Sequence, residues 1–125
     1  MPSTTADPHG PSVATAPKLA SDGITPLTTG ARITGSATYP IPGGISAGKT
    51  LAIAINCQGA GRLHVQVKPT GISFPLVCEE GKVSPTMNEV HMSKDRATAA
   101  LQVTAEPKVR WSFAVGWDHS PPQQQ

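Results

Sequence analysis

Few residues in this chain have the types and spacing to do chemistry. The two cysteines, Cys57 and Cys78, are the only thiols, and the histidines are His9, His64, His91 and His119. Neither CxxC nor a histidine at finger spacing accompanies the cysteines, so a structural zinc site is not indicated. His64 and His91 fall on outward positions of strand-like runs and could reach Glu89 or Asp95 around a metal. Isolated outward histidines are more often solvated, and no metal site is assigned. A glycosidase needs two carboxyls held across a cleft, whereas the adjacent Glu79 and Glu80 read as a turn. No GxSxG nucleophile elbow occurs, and no thiol stays free once the cysteines pair. GGISAGKT, Gly43 to Thr50, ends like a phosphate-binding loop but has three residues between its glycines where that motif has four, and a strand follows it where a helix is required. No catalytic residue and no cofactor are assigned, and the chain is expected not to be an enzyme.

The elements that would position these groups are short strands. In Leu51 to Cys57, Leu51, Ile53, Ile55 and Cys57 alternate with Ala52, Ala54 and Asn56, the period of a strand with one face on a core. Gln58 to Gly61 supplies glycines for a reversal, and Arg62 to Lys68 returns with Leu63, Val65 and Val67 inward, which predicts a hairpin. Ser73 to Cys78 puts Phe74, Leu76 and Cys78 on one face. Both cysteines are thus in phase with the apolar residues of their own strands and are expected to form a disulfide closing a loop of about 20 residues. Two reduced, buried thiols are the alternative.

In chain order, residues 1–30 are rich in Pro, Ser, Thr, Ala and Gly and read as a flexible tether, with an added strand through Ile24 and Leu27 as the alternative. Arg32 to Tyr39 reads as one strand, and Pro40, Pro42, Gly43 and Gly44 end it. Val83 to Met92 is another, with Asn88, Val90 and Met92 on one side. SKDRATAAL offers a helix capped by Ser93, but its alternation favours a polar turn over Ser93 to Arg96 and then a strand. In Val109 to Trp117 the residues Trp111, Phe113, Val115 and Trp117 share a face, and the opposite face, Arg110, Ser112, Ala114 and Gly116, reads as small enough for another chain segment to lie over it. Residues 119–125 read as a frayed tail. Six or seven such strands over 31–118 predict an all-β fold, a small antiparallel sandwich of jelly-roll or immunoglobulin-like type, with a small barrel as the alternative.

The 125 residues make room for one domain, and 38% hydrophobic content supports a modest core. A net charge of +2 with no basic cluster argues against nucleic acid as a partner. No run of eighteen apolar residues is present, so no membrane span is expected. Met1 to Ala20 lacks the basic and apolar regions of a signal peptide. A disulfide nonetheless requires export, which is reconciled if Met1 heads a mature region whose signal has been removed.

INCQGAGRLHVQV, FPLVC and VRWSFAVGW together resemble small secreted or lipid-anchored domains of actinobacteria, in which a strand ending in Cys-x-Gly-x-Gly precedes a second cysteine and a closing strand bearing Trp. The resemblance covers roughly Thr50 to Asp118 and implies an extracytoplasmic sandwich with Cys57 joined to Cys78. It carries no catalytic residues, and the lipobox cysteine of lipid-anchored members has no counterpart ahead of the tether. Two functions follow as expectations. The first is a non-catalytic, monomeric interaction module of the cell envelope, secreted or tethered at the surface, whose partner is an envelope protein or cell-wall polymer. The second is a carbohydrate-binding module with Trp117 and Tyr39 as its stacking residues. The shared phase of Trp111 and Trp117 with Phe113 and Val115 argues for core positions instead, and the exposure of Trp117 discriminates between the two. A structural domain with no binding role of its own is the blandest reading.

Overall fold

The computed structural model describes residues 12–19 and 23–119. The architecture is set by the two strands that are apolar on one face and small on the other. These are β3 (Thr50–Gln58) and β8 (Arg110–Asp118), which pair antiparallel with Asn56 opposite Ser112, Ala54 opposite Ala114 and Ala52 opposite Gly116. Leu51, Ile53, Ile55 and Cys57 from one strand, with Trp111, Phe113, Val115 and Trp117 from the other, fill the interior. A strand buried on both faces has to sit inside a sheet. Flanked by β1 (Ile24–Thr34) and β6 (Ser84–His91), the pair forms a sheet in the order β1-β8-β3-β6. The second sheet has the order β2-β7-β4-β5, from β2 (Ala37–Pro40), β4 (Gly61–Lys68), β5 (Ile72–Cys78) and β7 (Ala100–Ala105). Its inward residues Leu63, Val65, Val67, Leu76, Leu101 and Val103 complete the core. All pairings are antiparallel, as the predicted all-β sandwich requires.

The expected hairpin between Leu51 to Cys57 and Arg62 to Lys68 does not form. β3 pairs with β8 and β6, and β4 with β7 and β5, so Gln58 to Gly61 carries the chain from one sheet to the other. Alternation fixes which face a residue takes and says nothing about which strand lies beside it. The glycine at 59 serves a close approach: its φ is 113°, and a Cβ there would stand 2.1 Å from the Lys108 carbonyl oxygen. The disulfide follows from the same crossing. Cys57 on β3 and Cys78 on β5 are bonded with their Cα atoms 5.6 Å apart, which clamps one sheet to the other.

Two boundaries also move. The tether predicted over residues 1–30 does not extend past Gly23, because Ile24–Thr34 is a strand that pairs along β8, as the alternative through Ile24 and Leu27 anticipates. Register shifts at Pro26/Thr28 and Gly30/Ile33 break the alternation that would have revealed it. The single strand expected from Arg32 to Tyr39 is instead the end of β1 and the whole of β2, which lie in different sheets. Residues 1–11 and 20–22 of the predicted tether, and 120–125 of the predicted tail, lie outside the described residues. His119 is tied back, its amide donating to the Gly23 carbonyl and its Nε2 meeting Thr25 Oγ1 at 2.9 Å. No helix forms over Ser93 to Leu101; the segment turns and then enters β7, as its alternation favours.

Ser12 to Leu19 lies over the furrow of small residues on the outer face of the first sheet. The Ser12 carbonyl accepts from Asn56 Nδ2 and from Ser112 Oγ, each at 3.1 Å, so the two polar side chains buried among the described residues share one acceptor. Four residues further along β3 and β8, a Cβ on Gly116 would come within 2.9 Å of Leu19 Cδ1. Arg32, held at a φ of 55° in the second bulge of β1, donates its amide to the Val13 carbonyl at 2.8 Å. The small face of β8 is thus covered by a chain segment, as its residue sizes require.

Candidate functional site

Tyr39 and Trp117, the residues expected to offer a stacking surface, are placed apart and inward. The Tyr39 ring packs 4.5 Å from Phe113 and 6.2 Å, edge-on, from Trp111, between the two sheets. Trp111 is fully buried and its Nε1 donates to the Gly35 carbonyl at 3.1 Å. Trp117 is 8% exposed, with Lys49 Nζ 5.9 Å from its ring centroid. Trp117 is nearly closed to solvent, whereas Tyr39 is half-buried with its ring packed on the core. Cys57 and Cys78 are consumed in the bridge. His64 stands on the second sheet and His91 on the first, so the two do not converge, and among the described residues no three metal-ligating groups meet.

One acid pair escaped the sequence reading because β3 lies between its members. Glu89 on β6 and Asp118 on β8 reach toward each other across Ala52 and Thr50 on the outer face. A hydrogen bond to Asp118, then the loss of hydration, then repulsion from the Asp118 charge raise the Glu89 carboxyl above a glutamate's ordinary value. Since the folded state holds this proton more tightly than the unfolded chain, the pair's contribution is full below the ordinary glutamate range. It is lost as pH rises through the raised value. Glu89→Gln keeps a hydrogen-bonding partner for Asp118 and removes the repulsion. The variant is therefore expected to match the parent in thermal midpoint below the ordinary glutamate range and to exceed it modestly, in low salt, above the raised value, where both carboxylates are ionised. Equal midpoints in both ranges would show that the pair does not interact in solution. The pair sits on an open sheet face rather than in a cleft, which does not suit it to glycosidic chemistry.

The depression with converging polar groups lies at one end of the sandwich. It has a volume of about 250 Å³ and is lined by Thr70 and Ile72 at the β4–β5 turn, His91 and Met92 at the end of β6, and Ser93, Lys94 and Arg96 beyond it. Met92 is buried and forms an apolar floor with Ile72. The Thr70 hydroxyl is already engaged, donating to the Val67 carbonyl at 2.7 Å and accepting from the Ile72 amide at 3.0 Å. The cationic segment is held by the glycine-rich stretch before β3. Arg96 and Ile45 exchange two backbone hydrogen bonds, at 2.8 and 2.9 Å, and Met92 likewise pairs with Gly48 and Lys49. Asp95, the one acid of the segment, turns away to accept from the Ala47 amide at 2.7 Å.

The lining therefore carries Lys94 and Arg96 with no carboxylate, and Arg96 Nε is buried with no acceptor. A buried donor left unpaired costs about 1–3 kcal/mol, more when it belongs to a charged group. That Nε is sealed from solvent, so what the pocket offers an incoming group is the remainder of the Arg96 guanidinium and the Lys94 ammonium.

No family model matches the chain, and no curated protein matches it. Among solved structures, the chain is similar to the CBM22-1–GH10 modules of the Clostridium thermocellum endo-1,4-β-D-xylanase 10B complexed with xylohexaose. The TM-score is 0.41 at 12% identity, over 62% of this chain and 18% of that one.

Proposed function

We propose that this chain is a non-catalytic binding module working outside the reducing cytoplasm, at the cell envelope, and that it takes its ligand at the end-on pocket around Arg96. The observation that supports the reading most is the lining itself, in which Lys94 and Arg96 stand with no carboxylate beside them. The backbone that carries them is fixed where Arg96 pairs with Ile45 and where Met92 pairs with Gly48 and Lys49. The disulfide is consistent with an oxidising compartment, and among the described residues no helix is long and apolar enough to cross a membrane. The same reading takes the module as a monomer, because each free sheet edge carries a proline: Pro26 on β1, Pro40 on β2, Pro75 on β5 and Pro85 on β6. A proline on an edge withholds a donor from an approaching strand.

Carbohydrate binding through Trp117 and Tyr39 is the weaker reading, because Trp117 is buried and the half-buried Tyr39 ring packs against Phe113. The test is a panel of solubilised envelope polymers titrated into the ¹⁵N-labelled, oxidised protein. The expected result is one or more polymers shifting the amides of Thr70 and of His91 to Arg96 as a group. Shifts centred on Trp117 and Tyr39 would favour the stacking mode instead, and no shift from any polymer would overturn the binding-module reading.

A further inference from the structure

The ligand's chemical class can be taken further from the pocket's charge and shape. We infer that the pocket around Arg96 receives a phosphoryl group, a phosphate ester borne on a short polyol or sugar stem. This rests on the reading of the pocket as the module's binding site. The lining supplies two permanent cations, Lys94 and Arg96, and no acid. Asp95, between them in sequence, is removed from the pocket by its bond to the Ala47 amide. Two fixed positive charges exceed what a single carboxylate neutralises and match a phosphate ester carrying between one and two negative charges. The groups also differ in the way phosphate recognition uses them: the guanidinium offers a planar fork, the ammonium a point charge. The Ser93 hydroxyl and the His91 ring lie beside them, with no hydrogen bond to the domain described for either.

Size and polarity limit the rest of the ligand. A cavity of about 250 Å³ holds a phosphoryl group and a few carbons but not an oligosaccharide, so a longer polymer has to run past the mouth with one unit inserted. Ile72 and Met92 provide the apolar wall and floor against which the carbons of that unit lie. The Gly43 to Thr50 stretch contributes here only as a support. The amides of Ile45, Ala47 and Gly48 are engaged with the Met92 to Arg96 segment and those of Gly44 and Lys49 with Ile41 and Ser46, in keeping with its failure as a phosphate-binding loop.

The experiment uses the whole oxidised chain and three probes at constant ionic strength: inorganic phosphate, glycerol 3-phosphate and glucuronate. Phosphate and glycerol 3-phosphate are expected to shift the amides of residues 91–96 saturably, the ester more tightly, and glucuronate at least about tenfold more weakly. Lys94→Ala, at an exposed position, and Arg96→Gln are each expected to weaken phosphate about tenfold without altering the spectrum elsewhere. Should Arg96→Gln perturb the fold, Lys94→Ala alone decides. Glucuronate binding as tightly as the phosphates overturns the phosphoryl assignment, as does binding that neither variant weakens. A poly(glycerol phosphate) arm separates sources: tighter binding than the monomer identifies a polymer, equal binding a free metabolite, and either supports the inference. If phosphates leave the pocket unmoved while an uncharged envelope polymer shifts it, the phosphoryl inference fails and the binding-module reading stands; if nothing shifts it, both fail.

Discussion

Removing the disulfide, by Cys57→Ala with Cys78→Ala or by reduction, is expected to lower the thermal midpoint by roughly 12–24 °C while the strand content of the surviving folded state is unchanged. The two cysteines are 21 residues apart, and closing a loop of that size in the unfolded chain is worth about 3 kcal/mol in the loop-entropy model. For a domain near 100 residues each kcal/mol corresponds to about 4–8 °C. The position of the bridge makes the loss consequential. It is a side-chain cross-link between the sheets, and the chain it encloses includes β4, a central strand of the second sheet. Both residues are nearly fully buried, but the side-chain volume lost in alanine is small, so the expected effect is dominated by chain entropy rather than by a cavity. Calorimetry with and without reductant checks this directly. A shift below about 3 °C would mean that the sheets are held by the aromatic core alone and that the compartment argument loses its energetic basis.

What could be read in the sequence divides along a physical line between faces and neighbours. Period-2 alternation placed Leu51, Ile53, Ile55 and Cys57 inward, and likewise Trp111, Phe113, Val115 and Trp117, because a side chain's face depends only on its own strand. Which strands lie side by side depends on loop geometry and on competition among several β partners, so β3 and β4, adjacent in sequence and in phase, still entered different sheets. A stronger clue was present. The four edge strands each hold a proline and the four interior strands β3, β4, β7 and β8 hold none, so proline content alone separates edge from centre. Likewise, Ala52, Ala54 and Asn56 opposite an apolar face signal a strand covered on both sides, and β1 was hidden only where its two bulges reset the alternation.

The pocket was less legible because it belongs to no single stretch. Thr70, His91 and Arg96 come from two sheets and a connecting loop, and an orphaned Nε is a property of packing rather than of residue type. The local signal that did exist was the glycine pair ahead of β3. In the sequence its glycines read only as ending the strand before them; in the fold, Gly44 is what lets the Arg96 backbone come close enough to exchange hydrogen bonds with Ile45.

That role yields the second large effect. Gly43 and Gly44 both have positive φ, 80° and 73°, so alanine at either is strained by about 1–2 kcal/mol. Their surroundings differ. A Cβ on Gly43 would meet nothing within 4 Å, whereas one on Gly44 would stand 2.2 Å from the Arg96 carbonyl oxygen and 2.6 Å from that of Ala97. Backbone cannot swing aside as a side-chain tip can, so relief at Gly44 requires the two segments to part. The Ile45–Arg96 hydrogen bonds would go with them, at about 1 kcal/mol each. Gly43→Ala is therefore expected to cost about 1–2 kcal/mol in denaturant unfolding and to leave the amides of residues 91–96 where they are. Gly44→Ala is expected to cost about 3–4 kcal/mol and to displace those amides together. The two substitutions share chemistry and strain, so the difference between them isolates the close approach. Equal costs with unmoved amides would mean that the glycine-rich stretch does not brace the cationic segment, and Arg96 would then lack the rigid footing that holds it at the pocket.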